Sequence, residues 1–344
     1  MIEVKKEGIL LSKTDIEFEN EAVLNPAAIR IDDSVHLFYR AVRNGNHSTI
    51  GYCKFDGPLT LSERSDKPFM SPELDYESQG VEDPRIVKID SLYYMTYTAY
   101  NGVNALGALA TSRDLVHFKK QGIIVPIMTY DRFVSLAEPV GKINENYLNN
   151  QKFYNQEGDP EENKLLWDKN VMFFPRRIKG KLAFLHRIRP GIQLVTVKNL
   201  KELTKTFWDN YITNMHDHIV IDPLYKHESD YIGGGCPPIE TEHGCLMIYH
   251  GVQDTNKGLV YSACAAALLD LDDPTKVIAR LPYPLFSPEY NWELIGDVNN
   301  VVFPTGAVVF GDTLFIYYGA ADSHIACASV SLSKLMEELK TNII

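Results

Sequence analysis

Apolar and polar residues alternate along most of this chain in short runs, the period-two pattern of half-buried strands. One run, Val87 to Tyr100, follows the stretch Gly80-Val81-Glu82-Asp83-Pro84-Arg85-Ile86 and sets a frame that recurs. The frame is a proline, an aliphatic position, a turn containing Gly or Asp, and then an alternating aromatic and aliphatic strand. Its copies are Asn25-Pro26 with His36 to Arg40, Asp83-Pro84 with Tyr94 to Tyr97, Phe174-Pro175 with Ala183 to Arg187, Cys236-Pro237 with Cys245 to His250, and Phe303-Pro304 with Leu314 to Tyr318. Each reads as a hairpin with room for two further strands.

A repeated multi-strand unit cannot bury its own apolar faces and must pack on the next, so the pattern predicts an all-β fold, a five-bladed β-propeller. Closed all-β architectures run past the usual domain length, and residues 1–344 are expected to form one domain. The pattern breaks between about 128 and 168, where polar residues dominate. That stretch is expected to be an insertion between blades, either a lid over a site or a solvated loop. Leu332, Leu335, Met336 and Leu339 repeat at i, i+3, i+4 and i+7, which predicts a short C-terminal helix packed on the rim, with an oligomer contact as the sharper alternative. Gly233-Gly234-Gly235 lacks the Lys-Ser/Thr ending of a phosphate loop and is expected to allow close backbone approach instead.

Composition narrows the partners. With 34 Lys+Arg against 45 Asp+Glu the net charge is −11, which disfavours nucleic acid and anionic membrane surfaces. The five cysteines are dispersed through apolar strand patterns without a CxxC pair and read as buried free thiols. His216-Asp217-His218 offers too few ligands for zinc, so no metal is expected. Neither a signal-peptide pattern nor a run of about 20 apolar residues is present, which gives a cytoplasmic expectation.

In a propeller the innermost strands line one funnel, so equivalent positions of the repeats converge. Of the residues preceding the prolines, Asp83 alone is ionisable, and the neighbouring Glu82 and Arg85 can tune its protonation. Asp-Pro is also a common turn dipeptide. At or near the strand ends of the other copies stand Arg40, His186, Arg187, His250 and Tyr318, with Lys169 just upstream of the third. One acid facing several cations suits transfer of a group to or from an anion. Tyr100, Tyr231, Tyr249, Tyr261, Trp292 and Phe303 could offer stacking faces for sugars, or could serve only as packing.

Glu82-Asp83-Pro84-Arg85 with Tyr93 to Tyr100, Phe174-Pro175 with His186-Arg187, Pro237-Pro238-Ile239 with Tyr249-His250-Gly251-Val252, and Tyr317 to Asp322 together resemble glycoside hydrolase family 130. The resemblance implies a five-bladed propeller acting on β-mannosides, through inverting phosphorylases that release α-mannose 1-phosphate and a minority of β-1,2-mannosidases. It implies that Asp83 donates a proton through the mannosyl 3-hydroxyl. Asn25, Arg40, Glu82, Phe303 and Asp322 would bind substrate, and Lys169, Arg187, His250 and Tyr261 would bind phosphate. Inorganic phosphate is then a co-substrate, a mannose-containing oligosaccharide the other, and no cofactor is required. Two departures touch the anion site: Tyr231 stands where many phosphorylases carry Lys, and Lys169 where Arg is common.

The chemistry of inversion favours phosphorolysis. An inverting hydrolase needs a base roughly 6.5 to 9.5 Å from its acid to activate water, whereas phosphate is already a nucleophile and needs cations to hold it in line. Asn25 occupies a position where several propeller glycosidases carry an aspartate base. The alternatives are a β-mannosidase using Glu228, Glu240 or a carboxylate from 149–163, and a non-catalytic glycan-binding propeller.

Overall fold

In the computed structural model, residues 2–149, 164–255, 258–260 and 264–344 are described. β-Strands dominate. After β1 (Lys5–Ser12), the first unit holds β2 (Ala22–Ile31), β3 (Ser34–Arg43), β4 (His47–Asp56) and β5 (Thr60–Arg64), and the second β6 (Gly80–Ile89), β7 (Leu92–Tyr100), β8 (Ala105–Ser112) and β9 (Lys119–Ile123). The third unit is β10 (Lys169–Phe173), β11 (Leu182–Arg187), β12 (Ile192–Val197) and β13 (Ile219–Ile221). The fourth is β14 (Tyr231–Gly234), β15 (Ile239–Thr241), β16 (Gly244–Thr255), β17 (Gly258–Val260), β18 (Ala265–Leu269) and β19 (Val277–Arg280). Its inner edge is split because Pro237 and Pro238 interrupt the ladder, so β14 and β15 each pair with β16.

The fifth unit, β20 (Val302–Phe310), β21 (Thr313–Ala320) and β22 (His324–Ser331), takes its outer strand from the chain's start: β1 pairs antiparallel with β22. The first strands stand side by side, β2 against β20 and β6, β6 against β10, and β10 against β14.

Apolar residues on both faces of the strands are consumed at the junctions between units. Phe38, Ile50, Ile86 and Met95 pack between units one and two, and Phe173 and Phe184 face Val87 and Leu109 between two and three. Met172 and Leu185 meet Met247 and Ala265 between three and four, Ile248 meets Ile316 between four and five, and Leu37 meets Val308 and Tyr317 between five and one. Neighbouring residues of one strand therefore belong to different cores, which is why these runs are apolar on both faces.

The helix Leu332–Lys340 forms where the apolar stripe predicts it, capped by the Ser331 hydroxyl, and buries Leu335, Met336 and Leu339. Two further helices of about two turns, beside the single turn Asn291–Leu294, have no counterpart in the sequence pattern: Tyr130–Ala137 lies within the irregular stretch, and Lys205–Thr213 lies between β12 and β13. Thr129 and Thr204 cap them, and Phe133 and Trp208 join the core between units two and three. Their apolar faces are two turns long, too short for a periodic signal. All five cysteines are buried and unpaired. No helix of the described residues is long and apolar enough to cross a membrane.

Candidate active site

Three inner strands carry the same irregularity. The register slips at Asn25-Pro26, at Asp83-Pro84 and at Asn170-Val171, and the first residue of each pair takes a left-handed backbone, with φ of 49°, 48° and 57°. A bulge re-aims a side chain out of the sheet's alternation, and Asn and Asp tolerate this backbone better than most residues. The third copy of the repeat is thereby corrected: its equivalent of Asp83 is Asn170, not Phe174. Phe174 and Cys236 lie in apolar cores, while Asn25, Asp83 and Phe303 line a common cavity.

Each second strand carries an adjacent pair of residues of opposite direction: Tyr39/Arg40, Tyr97/Thr98, His186/Arg187, Tyr249/His250 and Tyr318/Gly319. The first of each pair turns to an acid. Tyr39 donates to Glu19 (2.8 Å), Tyr97 to Glu77 (2.9 Å), Tyr249 to Glu228 (2.7 Å) and Tyr318 to Glu293 (2.6 Å). Each glutamate is buried and also pairs with a cation from the unit's outer strand: Arg64, Lys120, Arg280 and Lys6 respectively. Tyr318 thus belongs to this clasp and not to the cavity. In the third unit Asp168 holds His186 Nδ1 (2.6 Å) and accepts the Arg187 N–H (3.2 Å), while Tyr211 bonds His186 Nε2 (2.8 Å).

The cavity, about 210 Å³, is lined by Asn25, Arg40, Asp83, Trp167, Lys169, Asn170, Arg187, Arg189, Tyr231, Val301, Phe303 and Asp322. Six residues expected at the site from sequence line it: Asn25, Arg40, Asp83, Lys169, Phe303 and Asp322; Arg187 makes a seventh. Glu82 and His250 stand behind its wall. Glu82 is buried and pairs with Arg40 (2.9 Å), so its contact is to a cavity residue, and His250 packs on Phe303 with ring centroids 4.4 Å apart. Tyr261 lies outside the described residues. A Cβ on Gly233 would overlap the His250 ring, and one on Gly319 would overlap Asn25 Oδ1, so both glycines make room for site residues.

Charge is divided across the space. Asp83 accepts a hydrogen bond from Asn25 Nδ2 (2.7 Å) and lies 3.8 Å from Arg40. Burial would raise its pKa, but Arg40, Lys169 and Arg85 with the Asn25 bond outweigh that and hold it below the ordinary value. Glu82 moves the other way, raised by burial and by Asp83 against the pull of Arg40. Burial lifts Asp322 to about 6, with Asp83 adding to the rise and Arg40 opposing it. Arg85 lies under the floor, donating to the Asp83, Gly234 and Gly235 carbonyls and to Asn170 Oδ1 (3.3 Å).

The cavity also holds Lys169, lowered to about 8 by burial and by Arg187, together with Arg187 and Arg189. His250 is held neutral by burial and the surrounding arginines. Its ring nitrogens and Asn170 Nδ2 have no hydrogen-bond partner among the described residues.

Of the rival bases, Glu228 is in its clasp and Glu240 pairs with Arg176 (3.0 Å) on the surface, while the carboxylates of 149–163 lie outside the described residues. His218 stacks on Tyr211 and His216 contacts Asp217, and none of the cluster's three residues lines the cavity. Asn170, Arg189, Trp167 and Val301 were not singled out from the sequence. Asn170 was hidden by the misplaced third frame, and Arg189 lies in a turn beyond the strand end.

An all-β protein whose inner strands gather one low-lying carboxylate and a facing group of cations in a sugar-sized cavity is a carbohydrate-active enzyme. The model of the family described as "beta-1,4-mannooligosaccharide phosphorylase" matches residues 6–341, and the chain belongs to glycoside hydrolase family 130. It is 35% identical over 350 residues to a 1,2-beta-oligomannan phosphorylase of Thermoanaerobacter sp. (strain X514), covering 97% of this chain and 99% of the relative. It is 34% identical to a beta-1,2-mannobiose phosphorylase of the same organism, covering 93% of each. Among solved structures, the beta-1,2-mannobiose phosphorylase from Listeria innocua superposes with a TM-score of 0.71 at 23% identity over 99% of this chain and 100% of that one, a likeness of fold.

Proposed function

We propose that the five units are the blades of a propeller closed by β1, and that the axial cavity belongs to an inverting phosphorylase cleaving β-mannosides with inorganic phosphate to give α-mannose 1-phosphate. The reading rests on one observation above others: Asp83 and the group Lys169, Arg187 and Arg189 face a single cavity of about 210 Å³. The two relatives matched over nearly their whole length are named for β-1,2-linked mannan substrates, which makes a β-1,2-mannoside the substrate to expect.

Asp83 acts as the acid, donating its proton towards the glycosidic oxygen through the mannosyl 3-hydroxyl. Asn25, Arg40, Phe303 and Asp322 hold the mannosyl ring, and Glu82 fixes Arg40. Phosphate sits against Lys169 and Arg187, with His250 and Asn170 behind it, and attacks the anomeric carbon from the face opposite the leaving group, which inverts the configuration. In the free enzyme the surrounding cations keep Asp83 ionised. A phosphate anion offsets those cations, so protonation of Asp83 follows co-substrate binding.

Hydrolysis is the second reading, favoured by Asp322, a cavity carboxylate with its pKa raised to about 6. Incubation with β-1,2- and β-1,4-mannobiose, with and without phosphate, separates the two by phosphorus NMR. Phosphorolysis gives one α-mannose 1-phosphate for each bond broken and no turnover without phosphate. Free mannose as the sole product at a phosphate-independent rate would refute it, and retained binding without turnover would leave a glycan-binding protein.

A further inference from the structure

Where the third unit turns from β11 to β12, residues 188–191 are fixed from several sides. Gln193 uses its side-chain amide on both backbone groups of Ile188, accepting from its N–H (2.7 Å) and donating to its carbonyl (3.1 Å), and it bonds the Tyr147 hydroxyl (3.0 Å). The Pro190 carbonyl accepts from the Ile232 N–H (2.9 Å), which ties the turn to β14 beside Tyr231. Gly191 sits so close to Tyr147 and Asp222 that a Cβ would overlap both. The turn is thus a rigid platform, and the residue it presents to the cavity is Arg189.

The Arg189 guanidinium carbon lies 3.7 Å from the centre of the Tyr231 ring, and the Arg187 guanidinium carbon lies 5.1 Å from the same centre. Tyr231 is buried and lines the cavity with both arginines. Stacking engages only the face of a guanidinium, so the ring fixes the plane in which its N–H groups donate. One aromatic ring therefore orders two cations at a shared wall.

We propose that Arg189, positioned by the face of Tyr231, is a phosphate-binding residue of this enzyme: Arg187 grips the co-substrate from the end of β11 and Arg189 from the turn that follows it. This rests on the phosphorylase reading and extends it. Tyr231, an apparent loss of a positive charge when the sequence is compared with many phosphorylases, instead docks a cation supplied by a different loop. Tyr231 is a positioning residue, since it acts through the arginines, and its hydroxyl is dispensable for that role. Arg189 is part-buried, and a cation beside Arg187 on this wall suits capture of phosphate and retention of the mannose 1-phosphate dianion after bond cleavage.

Initial rates measured against inorganic phosphate at saturating β-1,2-mannobiose, and against the disaccharide at saturating phosphate, test this in four variants. Arg189→Ala is expected to raise the phosphate KM on the order of tenfold with the disaccharide KM within about twofold, and Arg189→Lys to recover only part of that loss. Tyr231→Phe keeps the ring face and should raise the phosphate KM far less than Tyr231→Ala, which should reproduce the Arg189→Ala effect. Each variant is compared by thermal melting with the wild type, and Arg189→Lys and Tyr231→Phe remain informative if an alanine variant does not fold. A wild type whose rate ignores phosphate would remove the phosphorylase reading itself. A phosphate-dependent wild type with an unchanged phosphate KM in Arg189→Ala would overturn this inference alone, and so would a Tyr231→Phe variant as impaired as Tyr231→Ala.

Discussion

The third unit and the other four solve the same structural problem with different chemistry. In units one, two, four and five a buried glutamate ahead of the first strand takes a tyrosine hydroxyl from the second strand and a Lys or Arg from the outer strand. In the third unit the acid is Asp168, the second-strand residue is His186, and the outer strand Ile219–Ile221 supplies no cation. Tyr211, from a helix inserted before that outer strand, completes the contact instead. This same unit sends Lys169, Asn170, Arg187 and Arg189 to the cavity. The unit without a clasp cation supplies three of the four described Lys and Arg residues that line the cavity, Arg40 of the first unit being the fourth, so the scaffold of the regular units and the anion-binding wall of the third should be separable.

The largest expected effect lies outside that wall. Asp83→Asn removes the proton donor, and turnover should fall by about 10²–10⁴-fold, with disaccharide binding measured by calorimetry nearly unchanged. Full activity in this variant would remove Asp83 from the mechanism.

Breaking a regular clasp should cost stability without touching the anion site. Glu228→Gln leaves the buried Arg280 without its counter-charge, and an unpaired buried charge costs about 3–5 kcal/mol. Chemical denaturation should register that loss while the phosphate KM of the folded variant stays near the wild-type value. In the third unit the outcome should differ in kind. Asp168→Asn weakens the bonds to His186 and to the Arg187 backbone, so a smaller loss of about 1–3 kcal/mol should come with a raised phosphate KM. Equal phosphate KM values in the two variants would erase the proposed distinction between the units.

The smallest effect is a pH limb. Lys169 is lowered to about 8 by burial and Arg187, so its charge is present below that pH and lost as pH rises through it. kcat/KM for phosphate should therefore fall above about pH 8. Between about 8 and 10.5 the unfolded chain binds the extra proton, so this residue's contribution to folding stability rises with pH in that window. Lys169→Arg keeps the charge and should move the kinetic limb upward; a limb unmoved by this change belongs to another group.

The repeat frame made the strand units legible because aromatic and aliphatic alternation is local information. It placed Asp83 and Asn25 correctly because Pro follows both at the bulge. It failed at the third unit, where Val171 follows Asn170 and the nearest proline, Pro175, sits one turn of the pattern later. The clasps could have been read from spacing: the acid precedes its tyrosine by 20, 20, 21 and 25 residues. Arg189 and the Tyr231 platform were not readable in this way, since their meeting depends on the 188–191 turn docking against β14, a contact between units that no local pattern encodes. The two helices near the third unit were missed for a related reason, because their apolar faces are fixed by the core they complete.

The division of labour between an acid wall and an anion wall is tested most directly by Arg187→Ala, assayed with phosphate and β-1,2-mannobiose varied independently. Charge-assisted hydrogen bonds of about 1.5–3 kcal/mol predict a phosphate KM raised on the order of ten- to a hundredfold, with the disaccharide KM within about twofold and α-mannose 1-phosphate still the product. A variant that loses affinity for the disaccharide and keeps its phosphate KM would contradict the account.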